Sequence, residues 1–298
     1  MYSKRVKSLF SYELCYTFIN MNKEEIDALK VRALEIGDVH AILELADYYI
    51  EINKPDLAYQ VVYRAAVKQY PSAERRLGYF YEKGIGVNVD YEKAFQLYSS
   101  AAQRGDLKAK HNLGLLYAFG LGCAKDENRG FALVKEAADN QDAKALLSLA
   151  RFYEKGIGTH KNDEQYFVCL HQAKNLGDKT IYHLLGYSAY VGLGTKQDYH
   201  RAFDYFMAGS EMHDDQCDYY LGLMYSKGHG VERDDSKASY WYQKGANNGD
   251  GRAMYNLALF YENGIYLPRN LEKAHFWYQC SAQKGIEKAQ DKLKSFLQ

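Results

Sequence analysis

Few residues in this chain combine the type and the spacing that chemistry needs. His213 and Cys217 stand four apart, which on a helix sets an imidazole and a thiol on one face. Cys169 and His171 lie two apart in the preceding stretch. Both are metal-ligand types, but a zinc site needs three or four protein ligands, and no further ligand is spaced to complete either pair. No metal and no cofactor are therefore expected. Ser281-x-x-Lys284 has the spacing of the serine–lysine pair of penicillin-reactive enzymes, without the Ser-Asp-Asn or Lys-Thr-Gly that accompanies it there. His111 and His183 share a register but lie 72 positions apart, too far for joint catalysis. No Ser/His/Asp or Cys/His set is ordered for nucleophilic attack. Glycine pairs such as Gly84 and Gly86 lack the following Lys-Ser/Thr of a phosphate loop. The expectation is a protein that is not an enzyme.

What organises these residues is a period of 36. Ala73, Ala109, Ala145, Ile181, Cys217, Ala253 and Ala289 are each 36 apart, and the segments LGYFYEKGIG, LGLLYAFGLG, LARFYEKGIG, LGYSAYVGLG, LGLMYSKGHG and LALFYENGIY start at Leu77, Leu113, Leu149, Leu185, Leu221 and Leu257. A period of this size marks stacked supersecondary units. In each unit an aspartate (Asp106, Asp142, Asp178, Asp214, Asp250) is placed to cap a first helix. The small residue, leucine and tyrosine that follow at fourfold spacing form one apolar face. Glycine past that helix makes a stop and a sharp turn. A second cap (Asp90, Asp126, Asn162, Asp198, Asp234, Asn270) then opens a second helix with Ala94, Ala202, Ala238 and Ala274 at a close-packing site and Tyr98, Phe206, Tyr242 and Tyr278 at a bulky one. Such a unit cannot bury its own apolar face and needs neighbours on both sides.

The ends depart from the pattern as capping units should. Residues 22–72 read as a lone second helix followed by a short repeat of 32 residues that turns through Asn53-Lys54-Pro55. Six full repeats span 73–288, and 289–298 supplies a closing helix. Residues 1–21 fit no repeat, and MNKEEIDALK from Met21 reads as a natural helix start, so Met21 is raised as an alternative start of translation.

The totals fit an array. The 298 residues carry 38 basic and 38 acidic side chains, so no basic stripe points to nucleic acid. No apolar run approaches the roughly 20 residues of a membrane span. Five cysteines fall at unrelated phases of the repeat, unlike a disulfide framework, which favours thiols in a reducing, cytoplasmic setting.

The pattern A-x3-LG-x2-Y-x2-G-x-G, then D-x2-KA, then two aromatics, then AA-x2-GD, closely resembles Sel1-like repeats, relatives of the tetratricopeptide repeat. The resemblance covers about Ala41 to Gln298. It implies an all-α fold, a right-handed α-solenoid of stacked helix-turn-helix repeats whose first helices line the concave side. It also implies a scaffold or adaptor for protein complexes, with a protein or peptide as partner. One secreted branch is linked to β-lactam binding or hydrolysis, but it carries a cysteine pair in each repeat, which this chain lacks. A translocated effector or an immunity protein is a further alternative.

If first helices line the concave side, the positions two, six and nine after each repeat start face it. These are Arg75, Tyr79 and Glu82; His111, Leu115 and Ala118; Leu147, Arg151 and Glu154; His183, Tyr187 and Tyr190; Tyr219, Leu223 and Ser226; Tyr255, Leu259 and Glu262. The row is aromatic in its later part, where a solvated face should be charged. Tyr187, Tyr190, Tyr219 and Tyr255 lead the candidate partner site, with His183, Leu223, Arg151 and His111 beside them.

Overall fold

The structure is a computed structural model that describes residues 21–296. Residues 1–20, including Cys15 and the segment before Met21, lie outside the described residues. The described residues form helices and no strands. Asn22 opens α1 (Lys23–Lys30) with a reciprocal cap: its Oδ1 accepts from the Glu25 amide at 3.0 Å, and its own amide donates to the Glu25 carboxylate at 2.8 Å. α1 runs on as a π-turn, Val31–Ile36, and stops at Gly37.

The other helices follow in pairs: α2 (Val39–Glu51) with α3 (Pro55–Val67), α4 (Pro71–Lys83) with α5 (Tyr91–Gln103), α6 (Leu107–Phe119) with α7 (Glu127–Asp139), α8 (Ala143–Lys155) with α9 (Asp163–Asn175), α10 (Tyr182–Val191) with α11 (Tyr199–Glu211), α12 (Gln216–Lys227) with α13 (Asp235–Asn247), and α14 (Gly251–Asn263) with α15 (Leu271–Gln283). α16 (Glu287–Phe296) stands last and alone. The chain divides into two compact units. One holds the residues up to Leu149 with Ile157–His160, and the other Ala150–Gly156 with the residues from Lys161 on. Within each, a first helix packs on its own second helix, which packs in turn on the next first helix. This is the stacked-pair architecture of an α-solenoid.

The caps follow the sequence with two exceptions. All six second helices open on the expected Asp or Asn, whose side chain accepts from the amide three residues on. Among first helices, Asp106, Asp142 and Asp250 cap as expected. Asp178 does not: it bonds the amide and hydroxyl of Thr180, a competing local turn, and α10 starts late at Tyr182. Asp214 does not cap α12 either. Its carboxylate turns to the previous repeat, accepting from the His183 amide at 3.1 Å. α10 has no side-chain cap of its own, so a carboxylate from the following repeat satisfies one of its free amides.

The apolar stripe is buried throughout: the repeated leucines and the residues at the repeat starts are core. The repeated tyrosine is less so. Tyr81 is buried, but Tyr117, Tyr153, Tyr225 and Tyr261 are half-buried. Tyr117 and Tyr225 pack edge-on against Phe95 and Phe203 of the second helix before them. The deeper site is the residue just before that tyrosine, filled by Phe80, Leu116, Phe152, Met224 and Phe260. Small residues on the first helix let the second approach: a Cβ on Gly222 would lie 2.5 Å from the Tyr242 ring. The second glycine of the turn, present in five of the six full repeats, serves the junction between repeats. At Gly194 (φ +68°) a Cβ would lie 1.8 Å from the carbonyl oxygen of Asp163, at the start of the preceding second helix.

Asp218, Glu74 and His111 are buried polar side chains with partners. Asp218 is 1% exposed and accepts from Lys244 at 3.1 Å; Glu74 is answered by Arg104 and by the Ser100 hydroxyl at 3.1 Å. His111 is 8% exposed, with Nε2 2.8 Å from the Ser148 hydroxyl. Burial pushes its imidazole pKa below the usual value.

Two outcomes follow from this packing. Gly194→Ala should lower stability by about 2–4 kcal/mol in equilibrium urea unfolding, because a backbone carbonyl must move and a left-handed φ is strained. A loss below about 1 kcal/mol would show that the junction yields. His111 has its folded pKa below its unfolded one, so its neutral form stabilises the fold above pH 6.5, and that contribution is lost as pH falls from there towards the folded value. The urea midpoint of the native protein should therefore drop more between pH 7.5 and 5.0 than that of His111→Gln. Parallel curves would contradict it.

Candidate functional site

The fourth repeat handles its aromatic bulk differently from the rest. In α10 the deep site holds Ser188 and the next holds Ala189, both fully buried. The space is taken from the neighbouring helix, where Tyr166 replaces the small residue found at that position elsewhere and is buried beside Ser188. Burial pushes the Tyr166 hydroxyl up to about 12. The tyrosines of α10 itself, Tyr187 and Tyr190, point the other way: Tyr187 is 39% exposed and Tyr190 half-buried.

These two begin a continuous aromatic layer in the second unit. Tyr187 and Tyr190 lie 6.0 and 6.5 Å from Tyr220 of α12. Tyr220 stacks on Phe206 at 4.6 Å, nearly parallel, and meets Tyr219 at 5.0 Å. On the other side Tyr190 meets Tyr199 at 5.1 Å, and its hydroxyl lies 2.7 Å from His229 Nδ1. His229 itself stacks on Tyr199 at 4.6 Å. The Arg252 guanidinium closes the layer, 4.3 Å over Tyr219 and 5.1 Å over Tyr220, donating to the Tyr220 hydroxyl at 3.2 Å. Its charge is matched by Asp250 at 2.6 Å. Burial is the largest single influence on Arg252 and opposes its charge, but the hydrogen bonds and charge interactions with Asp250 and Tyr220 together outweigh it and raise the pKa. Burial also raises the pKa of Tyr190, Tyr219 and Tyr220, so all three are neutral hydroxyls at physiological pH. The layer is thus amphipathic and carries no free charge of its own.

Of the residues expected here, Tyr187, Tyr190 and Tyr219 come together. Leu223 is half-buried on the same helix as Tyr219, and Tyr255 packs instead on Tyr278 at 5.6 Å. His183 is tied to Asp214, its Nδ1 2.8 Å from the carboxylate, and acts as a link between repeats. Arg75 does the same in the first unit, donating to Asp106 at 3.1 Å. Arg151 is exposed, and His111 is buried in the first unit. Two further positions of the expected row are tied to tyrosines of the second helix. Glu82 accepts from the Tyr98 hydroxyl at 2.8 Å and Glu262 from that of Tyr278 at 2.6 Å. Ser226 and Tyr242 form the same kind of pair at 3.2 Å. In the fourth repeat the corresponding positions hold Tyr190 and Phe206, so neither a carboxylate nor a tyrosine hydroxyl on the second helix is present there.

Tyr199, Tyr220, His229 and Arg252 escaped the reading of the sequence. Two of them carried a signal. His229 stands between the turn glycines, where the other repeats have Ile85, Leu121, Ile157, Leu193 and Ile265. Tyr220 stands where they have Arg76, Asn112, Ser148, Leu184 and Asn256.

Among the described residues no three metal-ligating side chains converge. Cys217 is buried, which pushes its thiol pKa strongly up and away from the nucleophilic thiolate. Ser281 is fully buried and donates to the Gly251 carbonyl at 2.7 Å, a packing role. No helix among the described residues is long and apolar enough to cross a membrane.

Comparison with known proteins agrees with this architecture. The Sel1 repeat profile matches residues 71–106, 107–142, 143–178, 182–212, 216–250 and 251–286. A Sel1 repeat protein from Oxalobacter formigenes is similar at 31% identity over 80% of this chain and 96% of its own, with a TM-score of 0.70. A protective antigen present in uropathogenic Escherichia coli strains, displaying an SLR fold, matches at 28% identity and a TM-score of 0.74. That match covers 92% of this chain but only 59% of the antigen. No curated protein matches the chain. Six in-register matches to one repeat profile, over most of the described length, show that this chain belongs to the Sel1 repeat family.

Proposed function

We propose that this protein is a non-enzymatic scaffold that captures a protein or an extended peptide on the aromatic layer of its fourth and fifth repeats. The observation that carries the reading is the layer itself: Tyr187, Tyr190 and Tyr219 gathered around Tyr220, with Tyr187 exposed at 39% on a helix whose deep sites are held by small residues. Rigid amphipathic rings bury a large area at small conformational cost, which is why tyrosine is favoured at binding hot spots. The neutral hydroxyls supply directional bonds, and the pairing of Arg252 with Asp250 leaves the layer suited to apolar and uncharged polar groups rather than to an acidic or basic chain. Family membership supports the same class of role, since stacked helical repeats offer extended surfaces to other chains.

The test is to capture partners from the source cell with the native chain and with Tyr187→Glu, in parallel. A charge at the exposed ring should remove a specific partner, at least about tenfold in recovered amount, if the layer is the contact. Helical circular dichroism should not change, because Tyr187 is not core. Recovery of the same partners in the same amounts would sink the proposal.

A further inference from the structure

A second surface of the same unit departs from the repeat in two places at once. Four second helices carry phenylalanine at one position: Phe95, Phe131, Phe167 and Phe203. Phe95 and Phe203 use it to pack on the tyrosine of the next repeat, at 5.2 and 5.6 Å. In α13 that position is Ser239. Directly opposite, the turn glycine of the five preceding repeats is replaced by Tyr266, which keeps the glycine's left-handed backbone at φ +57°. A tyrosine there is strained, and strain of this kind concentrates where side-chain placement matters.

Removing one ring from the junction and projecting another beside it opens a cleft of about 560 Å³, lined by Ser236, Ser239, Tyr240, Gln243, Lys244, Asn247, Tyr266 and Leu267. Tyr240 and Tyr266 are 62% and 65% exposed. Between them the α13 face offers hydroxyls and carboxamides. Gln243 Nε2 donates to Asn247 Oδ1 at 3.0 Å, which uses one donor and one acceptor of a pair that has more of each. The lining has one cation, and it is committed elsewhere: Lys244 donates to Asp218 at 3.1 Å and to the Ser210 hydroxyl at 2.6 Å.

Exposed ring faces flanking uncharged amides and hydroxyls match a ligand with apolar C–H faces and a rim of hydroxyls. We propose that this cleft, between α13 and the Tyr266–Leu267 turn, is a binding site for a neutral oligosaccharide. Each tyrosine stacks on a sugar ring, and the Gln243–Asn247 pair bonds neighbouring hydroxyls. The site is formed by a second helix and a turn, so it stands independently of the Tyr187 layer.

Isothermal titration of the full chain with chitohexaose, cellohexaose and maltohexaose tests it. At least one should bind with a Kd below about 1 mM. Tyr240→Ala and Tyr266→Gly should each weaken that binding about tenfold or more. Tyr266→Gly restores the residue that the other repeats use, so it does not endanger the fold, and Tyr187→Glu should leave the affinity unchanged. The proposal is overturned if none of the three binds at about 5 mM, or if binding is indifferent to both tyrosine substitutions. Binding of a polyproline decapeptide with no saccharide bound would likewise overturn it and assign the cleft to a peptide.

Discussion

Everything in this chain depends on how closely one helix pair can seat on the pair before it. The limiting contact is between the second turn glycine and the carbonyl that opens the preceding second helix, where not even a methyl group fits at Gly194. That contact sets the spacing between repeats. The spacing in turn fixes where the leucine stripe meets the neighbouring helix, and so which side chains are core. A solenoid has no single centre, so each junction must be closed locally, and the same small set of residues recurs at every one.

With the spacing fixed, the space inside each junction is constant, and the repeats differ in how they share it. The fourth repeat places Ser188 and Ala189 inward and fills the gap with Tyr166 from the helix before, which frees the tyrosines of α10 for the surface. The polar content is shared by the same rule. Three second-helix tyrosine hydroxyls, those of Tyr98, Tyr278 and Tyr242, meet a polar partner on the first helix of their own repeat, at Glu82, Glu262 and Ser226. An unpartnered buried hydroxyl would be destabilising, and these pairings avoid it.

Both candidate sites arise where a repeat gives up a standard contact. Tyr187 is exposed and Tyr190 half-buried because bulk moved to the other side of the junction. The cleft at Tyr266 exists because one junction loses a phenylalanine and gains a turn tyrosine. Neither departure disturbs the stack, because each junction is closed by residues of its own.

The amino-acid sequence by itself determined the period, the helix pairs, the turns, all six second caps and the leucine stripe. These are local matters: glycine φ, a side-chain acceptor three residues from an amide, and the fourfold spacing of a helix face all act within one repeat. Only the tertiary structure decided that Asp214 serves the helix of the previous repeat, that Glu82 and Glu262 bond the hydroxyls of Tyr98 and Tyr278, and that Tyr199, Tyr220, His229 and Arg252 join Tyr187 and Tyr190 in one layer. Those pairings join residues tens of positions apart, across a turn or a repeat junction. A helical wheel shows which way a side chain points, but what it meets is set by the depth at which the next pair seats.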